Sequence, residues 1–139
     1  MTADLRTRYL GLDLRSPIVA SPSPLTGELD SALRIEDAGA GAIVLPSLFE
    51  EEIVAEELGM LNALEAGTNQ FAEALDYFSD FDTYHSTGDQ YLATLEKIKA
   101  RAAVPVIASL NATSVGGWVR YARLLQDAGA DALELNLYH

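Results

Sequence analysis

Small hydroxyls and amides recur where apolar runs of this chain end. They are Ala20-Ser21 closing PIVAS, Pro46-Ser47 after Ala42–Leu45, and Ser109 and Asn111 around the end of PVIASL. Asn136, Tyr138 and His139 follow in the same way at the chain's last apolar run. No carboxylate cluster joins them. Such groups hydrogen-bond a flat heterocycle rich in carbonyls and ring nitrogens. They do not suggest hydrolysis or a metal site. Ser21 and Ser47 also read as caps or turn residues, and Ser109 and Asn111 as caps or partners for loop backbone. Asn136 stands out because it lies inside LELNL, and a buried amide needs partners. Glu134 alternates with Asn136 and would share its face. A histidine at position 139, the last in the sequence, more often frays than reacts.

These residues need elements to position them, and a phrase that occurs twice shows which. DAGAGAIVLP (37–46) and DAGADALELNL (127–137) each close a helical pattern, turn on a glycine and enter an apolar run. Tyr9–Leu14 predicts a hairpin turning at Gly11. Short strands are expected at Pro17–Ser21, Ala42–Leu45, Pro105–Leu110 and Ala132–Leu137. Helices are expected around Leu29–Ala38, from Ser47 to about Leu58, around Leu92–Arg101, and from Thr113 or Ser114 to Ala128. Ser47-Leu-Phe-Glu50 has the form of a capping box. Residues 59–90 read as an irregular acidic insert within a single domain spanning 1–139. Strands alternating with amphipathic helices imply a parallel sheet covered by helices. A doubly wound sheet and a (β/α)8 barrel both fit. The lack of a GxGxxG or P-loop motif weighs against nucleotide-binding doubly wound folds, and the repeat favours the barrel.

The 139 residues carry 49% hydrophobic and 22% charged side chains, enough for a core in a soluble domain. The net charge of −12 repels phosphate backbones and argues against nucleic acid. The acidic stretches around Glu50–Glu57 and Asp76–Asp89 read as solvated faces, and they lack the pattern of a calcium loop. Cysteine is absent, which excludes disulfides and thiolate chemistry. No apolar run approaches the ~20 residues of a membrane helix, nothing has the order of a signal peptide, and the cytoplasm is the expected compartment.

YLGLDLRSPIVASPSPLT, DAGAGAIVLPSLFEEE and VPVIASLNATSVGGWVRYARLLQDAGADALELNL together resemble the dihydroorotate dehydrogenase family, nearest its soluble class 1-like branch. The resemblance implies a (β/α)8 barrel, of which this chain would supply the hairpin and about the first four βα units. It implies FMN as cofactor and the oxidation of dihydroorotate to orotate in pyrimidine synthesis. Carried over by position, it makes Ala20, Ser21, Ser47, Ser109 and Asn136 flavin contacts. Asn136 would also touch substrate, with Asn111 beside it. The family's base, a cysteine or serine, falls on His139, and its lysine before the serine falls on Pro46. The family's fifth-strand lysine and phosphate-binding glycine loops have no counterpart in these residues.

Three expectations follow. The chain belongs to an FMN-dependent oxidoreductase, or it is an inactive half-barrel serving as an interaction module, or it is a flavoenzyme of the same fold with another substrate. Four parallel strands with open edges would pair with the rest of a barrel or with a second copy, so a homo-oligomer is expected of the chain alone.

Overall fold

The computed structural model describes residues 3–68 and 86–137. The chain opens with an antiparallel hairpin, β1 (Thr7–Tyr9) and β2 (Leu12–Leu14). Leu10 and Gly11 both take positive φ, 52° and 77°, as the two central residues of a tight hairpin turn must. Next come β3 (Val19–Ala20), a 3-10 turn (Pro24–Gly27), α1 (Leu29–Asp37), β4 (Ala42–Phe49) and α2 (Glu50–Thr68). After them stand α3 (Thr87–Arg101), β5 (Val106–Asn111), α4 (Val115–Asp127) and β6 (Ala132–Leu135).

The four later strands form one parallel sheet in the order β3-β4-β5-β6. Each new strand adds on the same side of the last. A doubly wound sheet would reverse direction at a switch point. The two faces of the sheet are covered differently. Ile43, Leu45, Leu48, Val106, Ala108 and Leu110 point to the helices and pack with Ile53, Leu95, Ile98 and Leu125. Ala42, Val44 and Ile107 point the other way, onto Leu14 of the hairpin. The hairpin thus covers only the amino-terminal part of this second, inner face.

The repeated phrase works as expected. After α1, Gly39 takes φ 105°, its N–H bonds Glu36 and that of Ala40 bonds Ile35. After α4, Gly129 takes φ 95°, with matching bonds to Gln126 and Leu125. Both are Schellman caps, in which glycine supplies the left-handed residue that returns the chain to the sheet.

Three expectations need correction. The strand expected at Ala42–Leu45 runs on to Phe49, so Ser47 is a strand residue and caps nothing. The helix expected to end near Leu58 continues to Thr68. The stretch 59–90 is therefore helical at its start, and α3 begins at Thr87, capped by a reciprocal Ser86–Asp89 box. The positions between, including FAEALDYF (71–78), lie outside the described residues, as do Tyr138 and His139. Among the described residues no helix is long and apolar enough to cross a membrane.

Candidate functional site

The site is built by an irregularity in β4. Val44 pairs with Ile107, but Ser47 pairs with Ser109, so β4 spends one residue more than β5 between these points. That is a β-bulge, and it holds Pro46, which has no N–H to give a ladder. Strict alternation would put Ser47 on the helix side with Ile43 and Leu45. The bulge resets the phase: Leu48 turns to the helices and Ser47 to the inner face. Gly27 leaves room for this, since a Cβ there would lie 2.9 Å from Pro46 Cγ.

Four side chains then meet on the inner face near the carboxyl edge of the sheet. The Ser47 and Ser109 hydroxyls are 2.8 Å apart. Ser109 Oγ donates to Glu134 Oε1 at 2.8 Å. Asn136 Nδ2 donates to Ser109 Oγ at 2.9 Å and, more weakly, to Ser47 Oγ at 3.4 Å. Asn136 itself is held by its N–H on the Leu110 carbonyl at 3.1 Å. Ser109 is fully buried, while Ser47, Glu134 and Asn136 are half-buried. Beneath Ser109, on the helix side, the Tyr91 hydroxyl accepts the Ser109 N–H at 3.3 Å. Burial pushes the Tyr91 phenol up to about 12, so it stays protonated at neutral pH.

Below this cluster lies a cleft of about 600 Å³ between the hairpin and the inner face. Val44 and Ile107 line its apolar part, and Ser21 and Glu134 are polar groups along it. That size and mixed lining suit a small organic ligand. Ala20 is half-buried at the end of β3, and Ser21 just after it is exposed. Asn111 ends β5, only 7% exposed, and its Oδ1 has no hydrogen-bond partner among the described residues. An acceptor left so costs about 1–3 kcal/mol.

A clasp behind the edge fixes the loop after Asn111. The Glu50 carboxylate, at the first residue of α2, accepts the Thr113 N–H at 2.6 Å and the Ser114 N–H at 2.9 Å. Both hydroxyls of that pair donate to it as well. Ser114 caps α4 by accepting the Gly117 N–H at 2.9 Å. Gly117 is open space for the clasp: a Cβ there would lie 2.2 Å from Glu50 Oε1. The hydrogen bonds from Ser114 are foremost in lowering the Glu50 pKa, to about 2.

The structure thus gathers Ser47, Ser109 and Asn136, with Asn111 two residues beyond Ser109 on the same strand and Ser21 at the cleft; Ala20 pairs with Ile43, in phase with the helix-facing side chains, and does not line the cleft. Ser109 does not line open space, and its hydroxyl is spent on its neighbours. His139 lies outside the described residues. Tyr91 and Glu50 were not legible as members of the site. Glu50 lies 63 residues from Thr113 in sequence, and only the fold brings them together. The pairing of Glu134 with Asn136 was legible from strand alternation.

A parallel sheet with helices on one face and a polar cluster at its carboxyl edge is the arrangement of α/β proteins that bind ligands at that edge. No family model matches the chain. Over 97% of its length it is 28% identical to the dihydroorotate dehydrogenase B (NAD(+)) catalytic subunit of Thermoplasma acidophilum, covering 42% of that protein. Over 96% it is 28% identical to a putative dihydroorotate dehydrogenase A (fumarate) of Aeropyrum pernix, covering 41%. The resemblance to dihydroorotate dehydrogenases is borne out at family level, and the chain spans less than half the length of these curated relatives.

Proposed function

We propose that this chain is the first four βα units of an FMN-dependent oxidoreductase of the dihydroorotate dehydrogenase type. The sheet would be completed as a (β/α)8 barrel by a further stretch of chain or by a partner. The observation that carries this is the Ser47–Ser109–Asn136–Glu134 cluster, set at the carboxyl edge of a sequentially ordered parallel sheet. The similarity along nearly the whole chain supports it.

The donor set fits a flavin. Its ring edge alternates carbonyls with an N–H, and half-buried Ser47 and Asn136 offer matched hydroxyl and amide groups. Asn111 adds a buried acceptor without a partner among the described residues. Ala20 and Ser21 would hold the ring from the β3 side, with Ser109 supporting Ser47 and Asn136 from beneath. Bound FMN would supply a hydride acceptor. The apolar walls of Val44 and Ile107 would keep water from the ring, and Asn136 would orient ring and substrate together. His139, at the position that corresponds to the family's base, would take the substrate proton.

Pro46 supports a second reading, a flavoenzyme of this fold with another substrate. It stands where the resemblance expects a lysine, and the bulge uses it for backbone geometry. The test is anaerobic mixing of the flavin-loaded protein, at its full natural length, with dihydroorotate. Bleaching of the flavin band is expected. Bleaching by other reduced heterocycles and none by dihydroorotate would select the second reading.

A further inference from the structure

We propose that Phe49 and Asn111 are specificity-determining residues that together receive the substrate's ring. Phe49 is the wall on which the ring lies, and Asn111 reads an uncharged N–H on its edge. The ligand class is a planar cyclic amide. The inference rests on reading the carboxyl edge as a ligand site, and it adds a row of residues beyond the Ser47–Ser109–Glu134 cluster.

Side chains of the inner face fall into rows across the strands. Val44 stands opposite Ile107 in one row, and Ser47, Ser109 and Glu134 make the next. Phe49 pairs with Asn111 one row further toward the carboxyl edge. The Asn136 N–H on the Leu110 carbonyl continues the register of Leu110 with Leu135, so Asn136 stands opposite Asn111. Leu48 and Leu110 turn to the helices. Period-two alternation therefore puts Phe49 and Asn111 on the inner face, in phase with Ser47 and Ser109. The outermost row is an aromatic ring beside two amides.

Phe49 is 38% exposed although Leu48 and Glu50 on either side of it are buried. Asn111 is the reverse case: it is buried, and its Oδ1 has no hydrogen-bond partner among the described residues. A buried acceptor gains most from a donor that reaches it. The last torsion of an asparagine side chain is broad, so the amide turns to meet a ring N–H at little cost. The Glu50 clasp keeps the pair together. Glu50 directly follows Phe49, and it accepts the N–H groups of Thr113 and Ser114, just past Asn111. It thereby ties the ends of the two strands that carry the ring and the amide. The charged side chains at these strand ends, Glu50 and Glu134, are both acids, so the ligand edge that meets this row is uncharged.

The test titrates the protein at its full natural length with two probes, 2-pyridone and N-methyl-2-pyridone, and reads their affinities from the probes' own NMR line widths. In the wild type, 2-pyridone is expected to bind at millimolar concentration and to shift the Asn111 side-chain amide. N-methyl-2-pyridone should bind about fivefold more weakly, the worth of one neutral hydrogen bond. Phe49→Leu should weaken both probes alike, by about fivefold, and keep their ratio. Asn111→Leu keeps the volume but loses the acceptor, and the ratio should fall to near unity. Asn111→Ala serves in its place if Leu does not fold. No binding of 2-pyridone, equal affinity for both probes, an unchanged ratio in the Asn111 variant, or full affinity in Phe49→Leu would each overturn the assignment. FMN binding is measured separately, so failure of the flavin reading is distinguishable from failure of this one.

Discussion

Gly41→Ala is expected to cost about 3 kcal/mol or more, and to leave much of the expressed chain insoluble. A Cβ at this position would lie 2.0 Å from the Ser16 carbonyl oxygen and 2.9 Å from its carbon. Both are backbone atoms, so no side chain can swing away. The Gly41 N–H also donates to the Ile18 carbonyl at 2.7 Å, which ties the segment before β3 to the start of β4. Pushing that segment off would break the register of Val19 with Ala42 and open the cleft at Ser21. Gly39→Ala is the control. It strains a φ of 105° but meets nothing within 4 Å, so a cost of about 1–2 kcal/mol is expected. Urea midpoints for the two variants decide the matter. Equal losses would mean that backbone conformation, not the close approach, governs this corner.

Removal of the Glu50 clasp has the next largest effect. Glu50→Ala leaves the Thr113 and Ser114 N–H groups without their charged acceptor in a place where Glu50 is 8% exposed. A loss of about 2–3 kcal/mol is expected, as for a charge-assisted cap. The same clasp predicts a pH dependence. Its carboxyl is lowered from 4.5 to about 2 by the bonds it accepts in the fold. The unfolded chain therefore takes up the proton first as pH falls. The stabilisation is fully present above about pH 4.5 and declines toward pH 2. Chemical denaturation between pH 6 and pH 2 should show this decline in the wild type. In Glu50→Gln the part of the slope that belongs to this group should be absent. A variant with the wild-type slope would assign the acid sensitivity to other carboxylates.

The two predictions show what the sequence can and cannot disclose. The DAGA phrase announced both Schellman caps, because a glycine after an amphipathic stretch has a local meaning. Its fifth position did not announce its role. In the first copy Gly41 makes room for a crossing backbone. In the second, Asp131 accepts the Val106 N–H at 2.8 Å and pairs with Lys99 at 2.6 Å. Both join the incoming strand to its neighbour, by contacts distant in sequence. Ser47-Leu-Phe-Glu50 read as a capping box because its spacing is right and acidic residues fill the turn that follows. Pairing with β5 overrode that local signal and drew the strand through the proline on a bulge. Glu50 does accept hydrogen bonds at a helix start, but the helix is α4, not its own. Asn136 and Glu134 were legible because period-two alternation carries one residue past β6, although the strand expected to run to Leu137 stops at Leu135. The hydrogen bonds that join them through Ser109 were not, since these depend on three strands meeting.

Flavin stoichiometry in the protein at its full natural length tests the central claim most directly. The claim is that the Ser47–Ser109–Asn136 edge receives an FMN ring. The wild type should be recovered with about one FMN per chain. Asn136→Leu should weaken FMN binding about tenfold or more while leaving the fold intact by circular dichroism. A wild type that binds no flavin, or an Asn136→Leu variant that binds FMN as tightly as the wild type, would contradict it.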